Sequence, residues 1–270
     1  MENSCRDRFP ALIAFDLDDT LAPSKSPLPP AMSRTLTDLL TLRPVCVISG
    51  GQFGQFREQL LDRLPAEADL TQLHLMPTCG TRYLRHIDGA WRELYARDLT
   101  VDERERAITA LTRHAKALHL WEPDALVRGD RIEDRGSQVT YSALGQHADV
   151  ASKRNWDPAG EKREALRSAV AAELPGLEVR AGGSTSIDIT RRGIDKGYGM
   201  AQLAEQTGIG LDEMLFVGDR LEPGGNDYPV RALGVPCHAV SGPRETLEFL
   251  AGVITELRAG GRPACDLLSA

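Results

Sequence analysis

The sequence has no excess of positive charge, no histidine pair at metal-binding spacing, no paired cysteines and no long apolar run, and each absence excludes a class of function. With 32 Lys and Arg against 39 Asp and Glu the formal net charge is −7, which disfavours a polyanionic partner, so nucleic acid is not expected. The six histidines form no HxxxH or HExxH pattern, which removes the common histidine metal sites. Cys5, Cys46, Cys79, Cys237 and Cys265 show neither CxxC nor zinc spacing, and Cys46 and Cys237 sit in apolar runs where cysteine acts as a small hydrophobe, so thiols rather than disulfides are expected. No apolar stretch approaches the ~20 residues of a membrane span, and Met1 to Arg8 is polar where a signal peptide is hydrophobic. The expectation is a cytoplasmic protein with no membrane partner. Its 270 residues can form one large domain or two modest ones.

What is present begins with Ile13 to Leu21, a short apolar run that ends in Asp16, Asp18 and Asp19. Three carboxylates crowded at the end of a buried strand call for a positive partner, and the carboxyl ends of strands are where open α/β sheets bind ligands. A plain acidic turn accounts for any one of them but poorly for all three. The four prolines of Ala22 to Pro30 specify a loop in which Lys25 is the sole cation. Met32, Leu36, Leu39 and Leu40 recur at helical spacing, and Val45 to Ile48 reads as a second strand ending in Ser49-Gly50-Gly51. Phe53, Phe56 and Leu60 continue as a helix, so Ser49 and Gly50 stand at a strand-to-helix junction able to hold an anion, although an isolated S-G-G is more often a tight turn.

After a third strand at Leu73 to Met76 the rhythm changes. Tyr83 to Ile87 and Ala90 to Tyr95 flank Asp88-Gly89, a favoured two-residue hairpin turn. A long helix through Val101, Ile108, Leu111, Ala115 and Leu118 follows, then β-like segments near Ala125 to Glu133 and Gln138 to Ala143, a helix through Leu166, Val170 and Leu174, and strands around Val179 and Ser184 to Thr190. Residues 86 to 185 therefore read as an α+β unit inserted into an α/β one formed by 1 to 85 and 186 to 270. The remainder returns to βα order. Lys196 opens a helix, Met214 to Val217 is a strand ending in Gly218-Asp219, a polar glycine-rich loop runs to Asn226-Asp227, and Val235 to Val240 and Leu247 to Ile254 supply a last strand and helix.

A helix-start lysine, a turn aspartate or a capping Asn-Asp is ordinary taken singly. Jointly, carboxylates without histidine form a hard-cation set suited to Mg2+, and a lysine and a hydroxyl beside a glycine turn are phosphate-binding parts. The combination describes metal-assisted phosphoryl transfer.

On these residues the chain resembles the haloacid dehalogenase superfamily of phosphohydrolases. The first motif, D-x-D-x-T, stands as Asp16-Leu-Asp18-Asp-Thr20; Ser49 stands as the second-motif hydroxyl, Lys196 as the third-motif lysine, and Asp219 with Asn226-Asp227 as the fourth-motif acids. The insertion resembles a type II (C2B) cap on a Rossmann-like parallel-sheet core. Three stretches, Arg128 to Arg135, Gly182 to Asp188 and Gly218 to Asp227, are similar to the eukaryotic-type phosphomannomutases.

The resemblance implies that Asp16 attacks phosphorus and Asp18 exchanges a proton with the leaving and entering oxygens. It implies Mg2+ held by Asp16, the Asp18 backbone carbonyl and Asp219 with Asp227 in support, Asn226 fixing the lysine, and Ser49 and Lys196 on the phosphoryl oxygens. In the cap, Arg128 and Arg135 would hold a far phosphate, and Ser186 and Asp188 sugar hydroxyls. Two departures weaken that far clamp: Gln146 stands where the mutases carry an arginine, and Lys25 replaces another, without its bidentate fork. Asp19, where the mutases usually carry Gly, reads as a loop residue. The first expectation is accordingly a Mg2+-dependent phosphosugar phosphatase, the alternative a phosphohexomutase interconverting hexose 1- and 6-phosphates, and the third a non-catalytic phosphosugar-binding protein, which intact Asp16 and Asp18 argue against. The expected partner is a small phosphosugar, with a homodimer through the cap. Trp91, Tyr95 and Trp121 are assigned to packing.

Overall fold

A computed structural model describes residues 9 to 260, so the expectations for Met1 to Arg8, Cys5 and Cys265 lie outside the described residues. The chain divides into two compact units, Met1–Ala96 with Asp195–Ala270, and Arg97–Ile194.

In the first unit, β1 (Leu12–Phe15), α1 (Pro30–Leu40), β2 (Val45–Ile48), α2 (Phe53–Gln59), β3 (Leu73–Met76), the single turn α3 (Pro77–Gly80), β4 (Arg82–Ile87) and β5 (Ala90–Ala96) run in order. The second unit contributes α4 (Val101–Ala117), β6 (Ile132–Asp134), β7 (Gln138–Ser142), α5 (Val150–Trp156), α6 (Glu161–Glu173), β8 (Leu177–Ala181) and β9 (Ser186–Arg191). The chain then returns to the first unit with α7 (Lys196–Thr207), β10 (Met214–Gly218), α8 (Tyr228–Ala232), β11 (Cys237–Ala239) and α9 (Pro243–Ala259). Among the described residues no helix is long and apolar enough to cross a membrane.

The large sheet has the order β11-β10-β1-β2-β3-β4-β5, parallel from β11 to β3 and antiparallel through β4 and β5. Strands β1, β2 and β10 at its centre are apolar throughout because both their faces are covered. Ile13, Phe15, Val45 and Val47 share one core with Leu36 and Leu39 of α1 and Leu250 and Val253 of α9, while Leu12, Ala14, Cys46 and Ile48 share another with Met200 and Leu203 of α7. Phe15 lies opposite both Val47 and Val217, so Asp16, Ser49 and Asp219 leave their strands at one edge. The strand order reverses around β1, the arrangement that opens a crevice in such sheets.

Helix α7 approaches closely because its first turn carries glycines. A Cβ on Gly199 would stand 2.3 Å from Ile48 Cδ1 and 2.8 Å from the Cys79 carbonyl oxygen. Gly199→Ala is therefore expected to destabilise by about 1–3 kcal/mol through overpacking, read from the urea midpoint.

The second unit is an antiparallel sheet, β6-β7-β9-β8, with α4 and α6 against one face. Val139, Tyr141, Val179, Ile187 and Ile189 meet Ala107, Leu111, Leu166 and Val170 in its core, and the alternate residues Gln138, Thr140 and Asp188 occupy the other face. Helix α4 begins at a capping box in which Thr100 and Glu103 satisfy each other's backbone N–H groups.

The unit boundaries expected at 86 and 185 stand at 97 and 194. The hairpin stays with the large sheet because β4 pairs with β3 (Leu75 with Leu84), and β9 belongs wholly to the smaller sheet because it bonds to β7 and β8. Asp88 and Gly89 both have positive φ, as the hairpin turn requires. The β-like reading of Ala125 to Glu133 survives only as Ile132–Asp134, since Asp124–Leu126 is a 3-10 turn, and α5 was not anticipated.

Candidate active site

Three strand ends and the start of one helix build the site. Asp16, immediately after β1, is 3% exposed and accepts hydrogen bonds from Lys196 Nζ at 2.5 Å and from the Thr20 hydroxyl at 3.3 Å. Lys196, the first residue of α7, is itself buried and donates equally to Asp227 Oδ1 at 2.5 Å. The other Asp227 oxygen accepts from the Arg220 backbone N–H at 3.1 Å. That placement needs Gly218, where a Cβ would stand 2.4 Å from Asp227 Oδ2. Asp195 caps α7 by accepting from the Tyr198 N–H, which fixes the helix start and with it the lysine.

Oxygen atoms of Asp16, Asp219 and Asp227 lie within 4.8 Å of one another. Burial first, then repulsion from Asp227, raises the Asp16 carboxyl to about 7 against the opposing pull of Lys196. The same causes raise half-buried Asp219 to about 6. Burial would lower the Lys196 ammonium, but Asp16 and Asp227 more than offset it, so the lysine is held charged. Three carboxylates against one ammonium leave two negative charges when all are ionised, which a divalent cation would neutralise, and the donors are hard oxygens. The residues present thus fit a divalent metal.

A pH dependence follows. A cation binds the ionised carboxylates, so divalent-metal affinity is expected to rise between about pH 5.5 and about pH 7.5, with protons released on binding. In the metal-free protein the folded state holds protons that the unfolded chain does not between the ordinary carboxylate range and about 7, so these two groups lower stability as pH rises through that window. Thermal shift by added Mg2+ should accordingly be larger at the higher pH. An equal shift at both ends would refute the coupling.

Asp18 stands apart from this cluster. Its carboxylate accepts from the Lys25 backbone N–H at 2.6 Å, from Gln55 Nε2 at 2.9 Å and from Gln59 Nε2 at 3.2 Å. Gln59 also donates to the Ser26 carbonyl, which ties the proline-rich loop to Asp18. Asp19 has a left-handed φ of 60° and accepts from the Ser24 N–H, the behaviour of a loop residue. Ser49 is buried, and its hydroxyl accepts from the Gly51 N–H at 3.2 Å; Gly50 lies between them.

Asn226 departs from expectation. It is exposed, and Lys196 is held by Asp16 and Asp227 instead, because the 219–227 loop folds the Asp227 carboxylate inward through its bond to Arg220. Arg128, Arg135, Ser186 and Asp188 belong to the other unit. There Arg128 is exposed and donates to the Ala125 and Val127 carbonyls, and Arg135 bonds through Nε and Nη2 to Glu133 Oε2 at 3.0 and 2.7 Å. Ser186 opens β9, and Asp188 Oδ1 accepts from Gln138 Nε2 at 2.9 Å and Thr140 Oγ1 at 2.7 Å. The Gln146 carbonyl accepts from Lys153 Nζ.

Sequence reasoning missed Gln55, Gln59, Gln138 and Thr140. The first two stand at i and i+4 on α2, a readable spacing, but neutral amides carry no charge pattern that would single them out.

The family model described as eukaryotic phosphomannomutase matches residues 32–256. A phosphomannomutase of Spinacia oleracea is 26% identical over 252 residues, covering 88% of this chain and 94% of that protein. A probable phosphomannomutase of Caenorhabditis elegans is 24% identical over 261 residues, covering 91% and 96%. Among solved structures, that of Plasmodium falciparum IMP-nucleotidase superposes with a TM-score of 0.70 at 14% identity, covering 93% of this chain and 70% of that one, a likeness of fold. With the motif acids and lysine gathered at one sheet edge and the family model spanning most of the sequence, the chain belongs to the eukaryotic phosphomannomutase family, on the haloacid dehalogenase fold.

Proposed function

We propose that the chain is a Mg2+-dependent phosphohexomutase that moves a phosphoryl group between the 1- and 6-positions of a hexose, with mannose phosphates as its substrates. The observation that carries this reading is the buried Asp16 carboxylate held by Lys196 beside Asp219 and Asp227, two residues before an Asp18 that three N–H donors hold outside the cluster. The family match and the relatives' names support the mutase over the phosphatase that the sequence alone put first.

Asp16 Oδ attacks phosphorus as the bond from phosphorus to the sugar oxygen breaks, and Asp18 gives that oxygen a proton. The acylphosphate, formed from a hexose 1,6-bisphosphate, passes its phosphoryl group to the free hydroxyl of a hexose monophosphate, whose proton returns to Asp18, and the bisphosphate so made turns in the site and gives its other phosphoryl group to Asp16. Lys196 and Ser49 face the charge on the phosphoryl oxygens. Asp16, Asp219 and Asp227 would hold the Mg2+, which would supply neutralisation of that charge.

The deciding assay supplies mannose 1-phosphate with Mg2+ and a catalytic amount of hexose 1,6-bisphosphate, and measures mannose 6-phosphate and free phosphate. Mannose 6-phosphate is the expected product; free phosphate alone, independent of the bisphosphate, overturns the mutase. Phosphatase is the second reading, favoured by Gln146 in place of an arginine and by the Glu133 hold on Arg135. Gln146→Arg is therefore expected to tighten bisphosphate binding about tenfold, as one charge-assisted bond of ~1.5 kcal/mol would, and to raise interconversion relative to hydrolysis. An unchanged product ratio removes Gln146 from the far-phosphate clamp.

A further inference from the structure

Three consecutive residues after β3 take left-handed backbone: Thr78 (φ 49°, ψ 49°), Cys79 (φ 56°, ψ 33°) and Gly80 (φ 81°). Glycine takes this region freely, but a β-branched threonine there is an outlier, and such strain persists where the surroundings over-determine it. Those surroundings can be named. The Thr78 N–H donates to the Gly51 carbonyl at 2.9 Å and the Cys79 N–H to the Ser49 carbonyl at 2.9 Å, so successive N–H groups grip the same loop. The Thr78 and Thr81 hydroxyls are 2.5 Å apart, and the Tyr95 hydroxyl reaches from β5 to donate to the Gly80 carbonyl at 2.7 Å.

The other flank of the turn meets the lysine's helix. A Cβ on Gly80 would stand 2.4 Å from Gly199 Cα, and a Cβ on Gly199 would stand 2.8 Å from the Cys79 oxygen. Gly199 lies one turn after Lys196. The turn is thus a spacer, with the Ser49–Gly51 loop bonded to one side and α7 packed on the other.

We propose that the left-handed turn Thr78–Cys79–Gly80 is a positioning element that fixes the Ser49–Gly51 loop against the helix carrying Lys196, with Tyr95 as its latch. Strain is tolerated because relaxing it would let two phosphoryl-facing groups drift apart. The inference rests on the phosphoryl-transfer reading above.

The test uses the full chain and the variants Tyr95→Phe, Cys79→Val and Cys79→Asn. Valine is β-branched and resists the left-handed region, whereas asparagine tolerates it and serves as the conservative rescue. Turnover of mannose 1-phosphate, with a catalytic amount of hexose 1,6-bisphosphate, and of p-nitrophenyl phosphate is measured with Mg2+, together with Tm and the affinity for orthovanadate, a phosphate analogue that needs no turnover. Tyr95→Phe and folded Cys79→Val are expected to lose kcat on both esters by about tenfold or more, with similarly weakened vanadate binding and a sugar KM within about twofold, because a small misplacement near the reacting centre is costly. Cys79→Asn is expected to keep parental vanadate affinity with a Tm no lower than the parent's. Parental kcat and vanadate affinity in Tyr95→Phe overturn the proposal even if Cys79→Val fails to fold, and so does a Cys79→Asn as impaired as Cys79→Val. A parent that binds vanadate but turns over neither ester refutes the phosphoryl-transfer reading, while the vanadate affinities still decide the role of the turn; a parent that does not bind vanadate overturns both.

Discussion

Asp16→Asn is expected to lower kcat by at least about 10^4-fold, the scale seen when a covalent catalyst loses its nucleophile, while leaving the fold as stable as the parent or more so. The two halves of this expectation have separate causes. An amide of nearly the same shape cannot form the acylphosphate, so chemistry stops. Burial and the neighbouring Asp227 make the ionised Asp16 carboxylate costly, which is why its carboxyl is raised to about 7, and a neutral amide removes that cost. Lys196 keeps Asp227 as a partner at 2.5 Å, so the ammonium is not abandoned. Metal-free stability of the variant should therefore equal or exceed the parent's above about pH 7, the difference shrinking as pH falls below that value and Asp16 becomes protonated in the folded parent. Turnover within tenfold of the parent would remove Asp16 from the nucleophile's place, and a large fall in Tm would make the inactivity uninformative and leave the Asp16 charge as a structural need.

The second large effect is at Lys196. Lys196→Met keeps a long flexible stem but leaves Asp16 and Asp227 facing each other without an ammonium, and breaking a buried ion pair from one side costs about 3–5 kcal/mol. The lysine is 1% exposed, so water cannot replace it readily. Kinetically the loss should be about 10^2- to 10^3-fold in kcat, the range for removing one preorganised charge at a site of developing negative charge. The destabilisation should grow as pH rises through about 7 and above, where the parent ionises Asp16 beside the ammonium and the variant has no ammonium to offset that charge, and added Mg2+ should recover part of it. Urea denaturation at two pH values with and without Mg2+ tests this directly. A loss independent of pH would mean that the stem's packing, not its charge, matters.

Much of this arrangement is legible in the sequence. Apolar runs of four residues ending in acids or in Ser-Gly-Gly mark buried parallel strands, because only a strand covered on both faces tolerates such continuity, and Asp88-Gly89 marks its hairpin for the same kind of local reason. Spacing alone could not assign that hairpin to a unit. Whether β4 joins β3 or opens the inserted unit depends on hydrogen bonds between residues that chain periodicity does not rank, and the boundary accordingly moved from 86 to 97. The left-handed turn at Thr78 was invisible for a sharper reason: propensity argues against a threonine there, and only tertiary contacts hold it.

The sequence by itself determined which residues are candidates for the chemistry: the acids Asp16, Asp18, Asp219 and Asp227 and the basic Lys196 are costly at strand ends and a buried helix start, and chemical type with order suffices to single them out. Tertiary structure decided who partners whom. It turned Asp227 rather than Asn226 to the lysine, drew Asp18 aside with Gln55 and Gln59, and bound Arg135 to Glu133. Those choices are set by side-chain direction and burial at distances of a few ångströms between residues as far apart in the chain as Asp16 and Lys196, and a linear pattern contains no such distances.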